Sequence, residues 1–475
     1  MRSLQRRITA TLTPALVLAG ALLTSGSAAA RTTSCSSPIV TGDTVLCGSL
    51  ADGATYLIEF PPHWNKTLFL YSHGYVAPTQ PNPAQDVGDP VTGGWLLTHG
   101  YAIAGSSYST TGWSIAQALP DQIKTLEVFR HLVGHPKRVI AWGHSLGGII
   151  TAGLIQRYPH TFSGALPMCG VLAGGVATWN TALDGAFAFK VLIDHSAQVV
   201  HITNALGNLN GAEAAAASAQ SSAKGRARLA LTAALGDVPG WFTPLSKPPA
   251  ATNYAAQERN QFQWFSRVDG PFIFALRAEL EARAGGNPSW TTGVNFARQL
   301  ARSPDRNEVA ALYKTSGLSL KAALARLNRA HQIAADPAAV RYLKRFISFN
   351  GRINIPVLSM HTTGDGLVIP ENEQAYASVV NRAGRSFLLR QVFVRRAGHC
   401  AFTAAETVTA VKVLLHRMRT GLWGKGAVSP SRLNAAAKAL GPGLNIFFSN
   451  GHIVPVNPAF LRYSPPRYPR PFDLP

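Results

Sequence analysis

Short apolar runs alternate with helix-patterned stretches between residues 67 and 175, and after a long interruption the same alternation resumes near residue 356. The runs read TLFLYSHG (67–74), YAIAGSSY (101–108), RVIAW (138–142) and GALPMCG (164–170), then IPVLSMHTTGD (355–365) and SFLLRQVFV (386–394). They are continuously apolar rather than alternating in and out, as strands are when both faces of a parallel sheet are covered. Strands separated by helices argue for βαβ units and an α/β class with a mostly parallel central sheet. The interruption, 176–351, is alanine-rich and helical in pattern, with a dense aromatic stretch QFQWFSRVDGPFIF at 261–274. A sheet pattern broken once and then picked up again points to an inserted helical cap. The chain therefore divides into a core segment at 31–175, the cap at 176–351, a second core segment at 352–420 and an extension at 421–475. The extension ends in YSPPRYPRPFDLP, too proline-rich for regular structure, and is expected to lie extended on the body or to be loose.

Residues 1–30 stand apart. Arg2, Arg6 and Arg7 precede the apolar stretch ALVLAGALL and then small residues ending Ala28-Ala29-Ala30, the order of a secretory signal peptide, with Arg6-Arg7 also allowing twin-arginine export. Export into an oxidising compartment makes four cysteines a candidate disulfide set. Four cysteines allow three pairings; Cys35–Cys47 and Cys169–Cys400 are the expected bridges. The formal net charge of +21 favours weak association with anionic envelope surfaces. The basic residues are scattered, with no polybasic run and no aromatic-basic repeat, so nucleic-acid binding is not expected.

Gly143-His144-Ser145-Leu146-Gly147 interrupts this pattern at one point. The pentapeptide alone is a weak signal, but here it closes an apolar strand and opens a helix, the setting of a nucleophile elbow. The glycines let the chain reverse within a few ångströms, so that Ser145 is thrust out at the carboxyl edge of the sheet. A serine hydroxyl needs a base, and the base needs a carboxylate to orient it. After such an elbow they follow in the order acid, then histidine, at the ends of later strands. Asp365 and His399 fit those places; His452, after an apolar run and a glycine, is the rival histidine, and His416 lies within a helix pattern. An oxyanion would be held by the backbone N–H of Leu146 and by one from the loop after 67–74, Tyr75 N–H, with Gly74 as the alternative.

On these residues — the His73-Gly74 loop, GHSLGG from Gly143, Asp365 and GHCAF from Gly398 — the chain resembles the α/β-hydrolase superfamily, over about 67–175 and 356–420. GHSLGG is similar to the wording of lipases and esterases, though relatives that cleave peptides share it. The resemblance implies an α/β-hydrolase fold with a cap inserted after the strand that follows the nucleophile helix. That fold would bring Cys169 and Cys400 to one rim, where a bridge tethers the histidine loop. Tannase and feruloyl-esterase relatives place the partner cysteine beside the serine, where this chain has His144. Ser145 argues against the aspartate-nucleophile chemistry of haloalkane dehalogenases and epoxide hydrolases. No H-E-x-x-H, metal-ligand spacing or dinucleotide fingerprint is present in the sequence, so no cofactor or metal is expected.

The resulting expectation is a secreted serine hydrolase acting through Ser145, Asp365 and His399 on small-molecule or polymeric carboxylic esters. One alternative is an exo-type serine peptidase whose cap acids, such as Glu258, Glu279 or Glu281, would bind an N-terminal ammonium. The other is a non-catalytic, envelope-associated binding protein, which loss of a triad residue would signal; all three residues are present. Phe262, Trp264, Phe265, Phe272 and Phe274 would form the cap's own core or line an acyl pocket beneath it.

Overall fold

The computed structural model describes residues 35–449 and 452–471; the signal-peptide reading of residues 1–30 lies outside them. Nine strands form one sheet in the order β1-β2-β4-β3-β5-β6-β7-β8-β11. They are β1 (Thr44–Ser49), β2 (Thr55–Phe60), β3 (Thr67–Ser72), β4 (Ala102–Ser106), β5 (Arg138–His144), β6 (Gly164–Met168), β7 (Val357–Gly364), β8 (Leu389–Ala397) and β11 (Phe460–Leu461). From β4 to β8 every pairing is parallel, while β1, β2 and β11 pair antiparallel. A separate hairpin joins β9 (Ile446–Ser449) to β10 (His452–Pro455).

Alternate residues of each strand feed two cores. Leu68, Leu70, Ala102, Ala104 and Ala141 pack with Leu126, Phe129, Ile149, Ile150 and Tyr376 on one face. Phe69, Tyr71, Ile140, Trp142, Leu358 and Met360 pack with Leu96, Leu97, Val411 and Leu414 on the other. The continuous apolar strand pattern has this cause, since each side chain meets a helix whichever way it points. The flanking helices are α1 (Pro90–Thr98), α2 (Ile115–Leu132) and α3 (Leu146–Arg157), followed beyond the cap by α13 (Glu371–Arg382) and α14 (Ala404–Thr420). Pro120 sits inside α2, which continues through it.

Between β6 and β7 the chain builds α4 (Gly175–Leu192), α5 (Ala205–Gln220), α6 (Ala223–Leu235), α7 (Tyr254–Trp264), α8 (Arg277–Ala284), α9 (Phe296–Leu300), α10 (Arg306–Thr315), α11 (Leu320–Arg329) and α12 (Pro337–Phe346). From α7 to α8 the backbone stays helical but widens twice into π-turns, Phe265–Asp269 and Phe272–Leu276, on either side of Gly270-Pro271. Proline has no N–H and crowds the carbonyl four residues back. The chain accommodates this by closing a wider ring, with Gly270 N–H donating to Phe265 O.

The extension is more ordered than its composition suggests. It forms α15 (Pro430–Lys438) and the strand β11, which adds to the edge of β8. The proline-rich stretch beyond β11 has no regular structure among the described residues, yet it lies against the body with Tyr468 and Arg470 buried. Arg470 pairs with Asp184 of α4 at 2.7 Å, and Tyr468 N–H donates to Gln374 of α13. Short polar anchors hold that stretch where its prolines forbid ladder hydrogen bonds.

Candidate active site

At the end of β5 the backbone turns into α3 through Ser145, which holds φ 58° and ψ −120°. A side chain resists that left-handed region unless its surroundings enforce it. Here they do. Ser145 N–H donates to Met168 O at 3.0 Å, and the flanking glycines allow close contacts nothing larger could make. A Cβ at Gly147 would lie 1.8 Å from Ser72 O, and one at Gly143 would lie 2.4 Å from the same atom. At Gly148 it would lie 2.6 Å from the Gly170 Cα. A mostly parallel sheet in this strand order, with a strained serine at the tip of β5 and a helix springing from it, decides the architecture. The chain is an α/β-hydrolase by fold.

In this fold the carboxyl ends of β5, β6, β7 and β8 share one rim. Asp365 follows β7, and His399 follows β8 by two residues. His399 Nδ1 lies 2.7 Å from Asp365 Oδ2. The other carboxylate oxygen, Oδ1, accepts from the N–H groups of Leu367 (3.1 Å) and Val368 (3.0 Å). Burial raises the Asp365 carboxyl, but the charge of His399, its hydrogen bond and the nearby charge of His361 outweigh it and leave the group lowered. Asp365 is thus an anion aimed at His399. Cys169, which follows β6, is bonded to Cys400 beside the histidine, and Cys400 Sγ lies 3.4 Å from His399 Nε2. Among the described residues no hydrogen bond yet joins Ser145 Oγ to His399, a contact that in enzymes without substrate is often long. The second bridge joins Cys35 to Cys47 of β1.

His361 also faces Asp365, and the sequence pattern did not single it out. It is fully buried on β7; its Nε2 donates to Val368 O at 2.8 Å and lies 3.6 Å from Asp365 Oδ2, while Nδ1 lies 3.2 Å from Glu373 Oε1. Burial opposes a charge there, yet hydrogen bonds and negative charge from Asp365 and Glu373 lift its pKa to about 10. Its four-residue spacing from Asp365 was the available signal. His73 is buried, stacks on Tyr108 and spans Gly74 O (2.7 Å) and Ser107 O (3.1 Å). It braces the loop that carries Gly74 and Tyr75. His452 sits on the β9–β10 hairpin outside the main sheet, and His416 lies within α14.

Over Ser145 the loop after β3 passes close enough that a Cβ at Gly74 would be 3.6 Å from the Ser145 Cβ. Tyr75, Ser145 and Leu146 line one cavity together with cap residues. Leu146 opens α3, so its N–H has no acceptor within the helix. Phe262, Phe265, Phe272 and Phe274 line the same cavity, whereas Trp264 is buried behind it with Nε1–H donating to Trp241 O. The cap aromatics thus serve as wall and core at once: Phe265 also stacks on Phe189 at 5.0 Å. The cavity holds about 150 Å³, the volume in which an apolar cavity takes up a benzene-sized ligand.

The three cap acids weighed as ammonium ligands do not line this cavity. Glu279 accepts from Trp113 N–H (2.9 Å) and pairs with Arg283, Glu281 pairs with Arg277 and accepts from His201 N–H, and Glu258 accepts from Gln220. The one group of potential metal ligands found among the described residues is Cys169, His399 and Cys400. Its sulfurs are joined as a disulfide and offer no thiolate. Among the described residues no helix is long and apolar enough to cross a membrane.

No protein-family model matches the chain. It is 27% identical over 432 residues to an o-phthalyl amidase from Xanthobacter agilis, covering 84% of this chain and 92% of that one. Among solved structures it is similar to an esterase from Aspergillus oryzae (12% identity, TM-score 0.40, 80% of each chain). It is also similar to the rice cell wall degrading esterase LipA from Xanthomonas oryzae (14% identity, TM-score 0.36, 80% of this chain and 89% of that one). The fold assignment rests on strand order and the serine turn.

Proposed function

We propose that the protein is an exported serine hydrolase that cleaves carboxylic esters of a ring-sized acyl group. The observation that carries this reading is Ser145, held in its strained turn at the same rim as the His399–Asp365 pair and open to the cavity. His399, held in one tautomer by Asp365, takes the Ser145 proton as Oγ attacks the carbonyl carbon. The carbonyl oxygen becomes an oxyanion between the N–H groups of Leu146 and Tyr75, with Gly74 N–H beside them. The tetrahedral intermediate collapses, His399 gives the proton to the leaving alcohol, and the acyl group stays on Ser145. Water, deprotonated by His399, then attacks the acyl-enzyme; collapse frees the acid and returns the proton to Ser145. Two disulfides fit work outside the cytoplasm.

Amide cleavage is the second reading, favoured by the likeness to a relative named as an amidase. The mechanism is unchanged except that His399 protonates a leaving amine. Turnover of p-nitrophenyl esters beside matched anilides decides the preference, with faster ester cleavage expected. A fluorophosphonate should label the wild type and leave Ser145→Ala unlabelled, with esterase activity lost by at least about 10³-fold. An active Ser145→Ala protein would end the reading.

A further inference from the structure

The cavity lining is mostly apolar with a few polar side chains, such as Gln261, Asn372 and Thr232, and one acid. Among the described residues Asp269 is the only one with a carboxyl group in that lining, and no lysine, arginine or histidine is part of it. It is 7% exposed, and its Oδ2 is sealed from solvent without a partner. No hydrogen bond from the described residues reaches the carboxyl. Buried polar groups in folded proteins are nearly always partnered. Asp269 is also placed by an unusual piece of backbone, the last position of the first π-turn before Gly270-Pro271. Widened helical turns of this kind gather at functional sites.

We propose that Asp269 reads the acyl group, its carboxyl hydrogen-bonding an oxygen acceptor carried by the substrate's acyl part. The substrate class is then aromatic acyl esters or amides bearing a carbonyl or carboxyl substituent, a choice that rests on the Ser145 hydrolase reading above. Burial lifts the Asp269 carboxyl well above the ordinary range, and the negative charge of Asp365 adds to the lift. With no cationic side chain in the lining to hold an anion, burial favours the neutral acid, which presents one O–H donor, as buried carboxyls do in other active sites. An all-apolar acyl group leaves that donor unsatisfied, whereas a substrate oxygen completes it. A site built around one hydrogen bond discriminates strongly against the analogue that lacks it.

The test uses the full-length protein and p-nitrophenyl benzoates bearing, at the 3- or 4-position, acetyl, isopropyl or aminomethyl. Acetyl and isopropyl match in shape, and only acetyl offers an oxygen. The electron-withdrawing effect of acetyl is common to all variants, so the readout is the acetyl-to-isopropyl ratio of kcat/KM relative to Asp269→Leu. That ratio does not depend on what fraction of a variant is folded. Wild type should exceed Asp269→Leu by at least about 10-fold, and Asp269→Asn, which keeps a donor, should retain most of the difference. Equal ratios in wild type and Asp269→Leu would overturn the inference, as would a wild-type preference for aminomethyl that Asp269→Asn abolishes. Activity persisting in Ser145→Ala would instead strike the hydrolase reading, so the two failures are distinct.

Discussion

Ser145 holds a backbone conformation that costs of order 1–3 kcal/mol for a residue with a side chain, and Gly143, Gly147 and Gly148 make room for it. Three glycines and a serine within six residues write this turn into the sequence, so the turn was legible in one local motif. Asp365 and His399 were legible because each follows an apolar strand. His361 and Asp269 were not. A histidine in an apolar strand and an aspartate in an aromatic helix look unremarkable until the fold shows what each faces. The charge of His361 has a measurable consequence. Its folded pKa of about 10 lies above the ordinary value of 6.5, so the native state binds the extra proton. The stabilisation is fully present below about pH 6.5 and is lost as pH rises through about 10. Thermal unfolding should show wild type losing more stability between pH 7 and pH 10 than His361→Gln does. Parallel curves would refute the charged state.

The turn between β8 and α14 carries His399, and it is clamped from within. Arg396 at the end of β8 donates NH1 to Glu406 Oε2 (2.7 Å) and to Ala401 O (2.7 Å), and NH2 to Glu406 Oε1 (3.1 Å). Glu406 also caps α14 through Thr403 N–H and receives Ala459 N–H from the segment before β11. Both members of the ion pair are buried, so removing one strands the other. Glu406→Ala is expected to lose about 3–5 kcal/mol of stability in chemical denaturation, with turnover impaired because His399 is no longer positioned. A change under about 1 kcal/mol would show that the clamp is dispensable. The capping box Thr403-Ala404-Ala405-Glu406 is a sequence signal for this helix start; the partnership with Arg396 is not, because only the fold brings the strand end over the helix. β1, β2 and β11 were equally hidden, since these antiparallel strands at the two margins of the sheet lack the continuous apolar signature of the central ones.

At the scale of the molecule, the Cys169–Cys400 bridge spans 231 residues, and the whole cap lies inside the loop it closes. Closing so long a loop restricts the unfolded chain, and losing such a bridge typically costs 2–5 kcal/mol. The double variant Cys169→Ser/Cys400→Ser should melt at lower temperature and lose turnover more than substrate affinity, since the bridge anchors the His399 turn. Unchanged kcat would make the bridge purely a matter of stability. The run of helices between β6 and β7 shows in the sequence as a strand pattern interrupted once. What pattern alone could not supply was the return of residues 462–471 across the junction. Tyr468 is part of the cavity lining, within 3.4–3.5 Å of Thr178 and Thr181 on α4, and Arg470 is bound to Asp184 on that same helix. A chain cut after residue 460 would keep the serine, the histidine and both bridges, yet its cavity would lack part of its lining. The proposed site therefore depends on residues 462–471 as well as on the serine and the histidine.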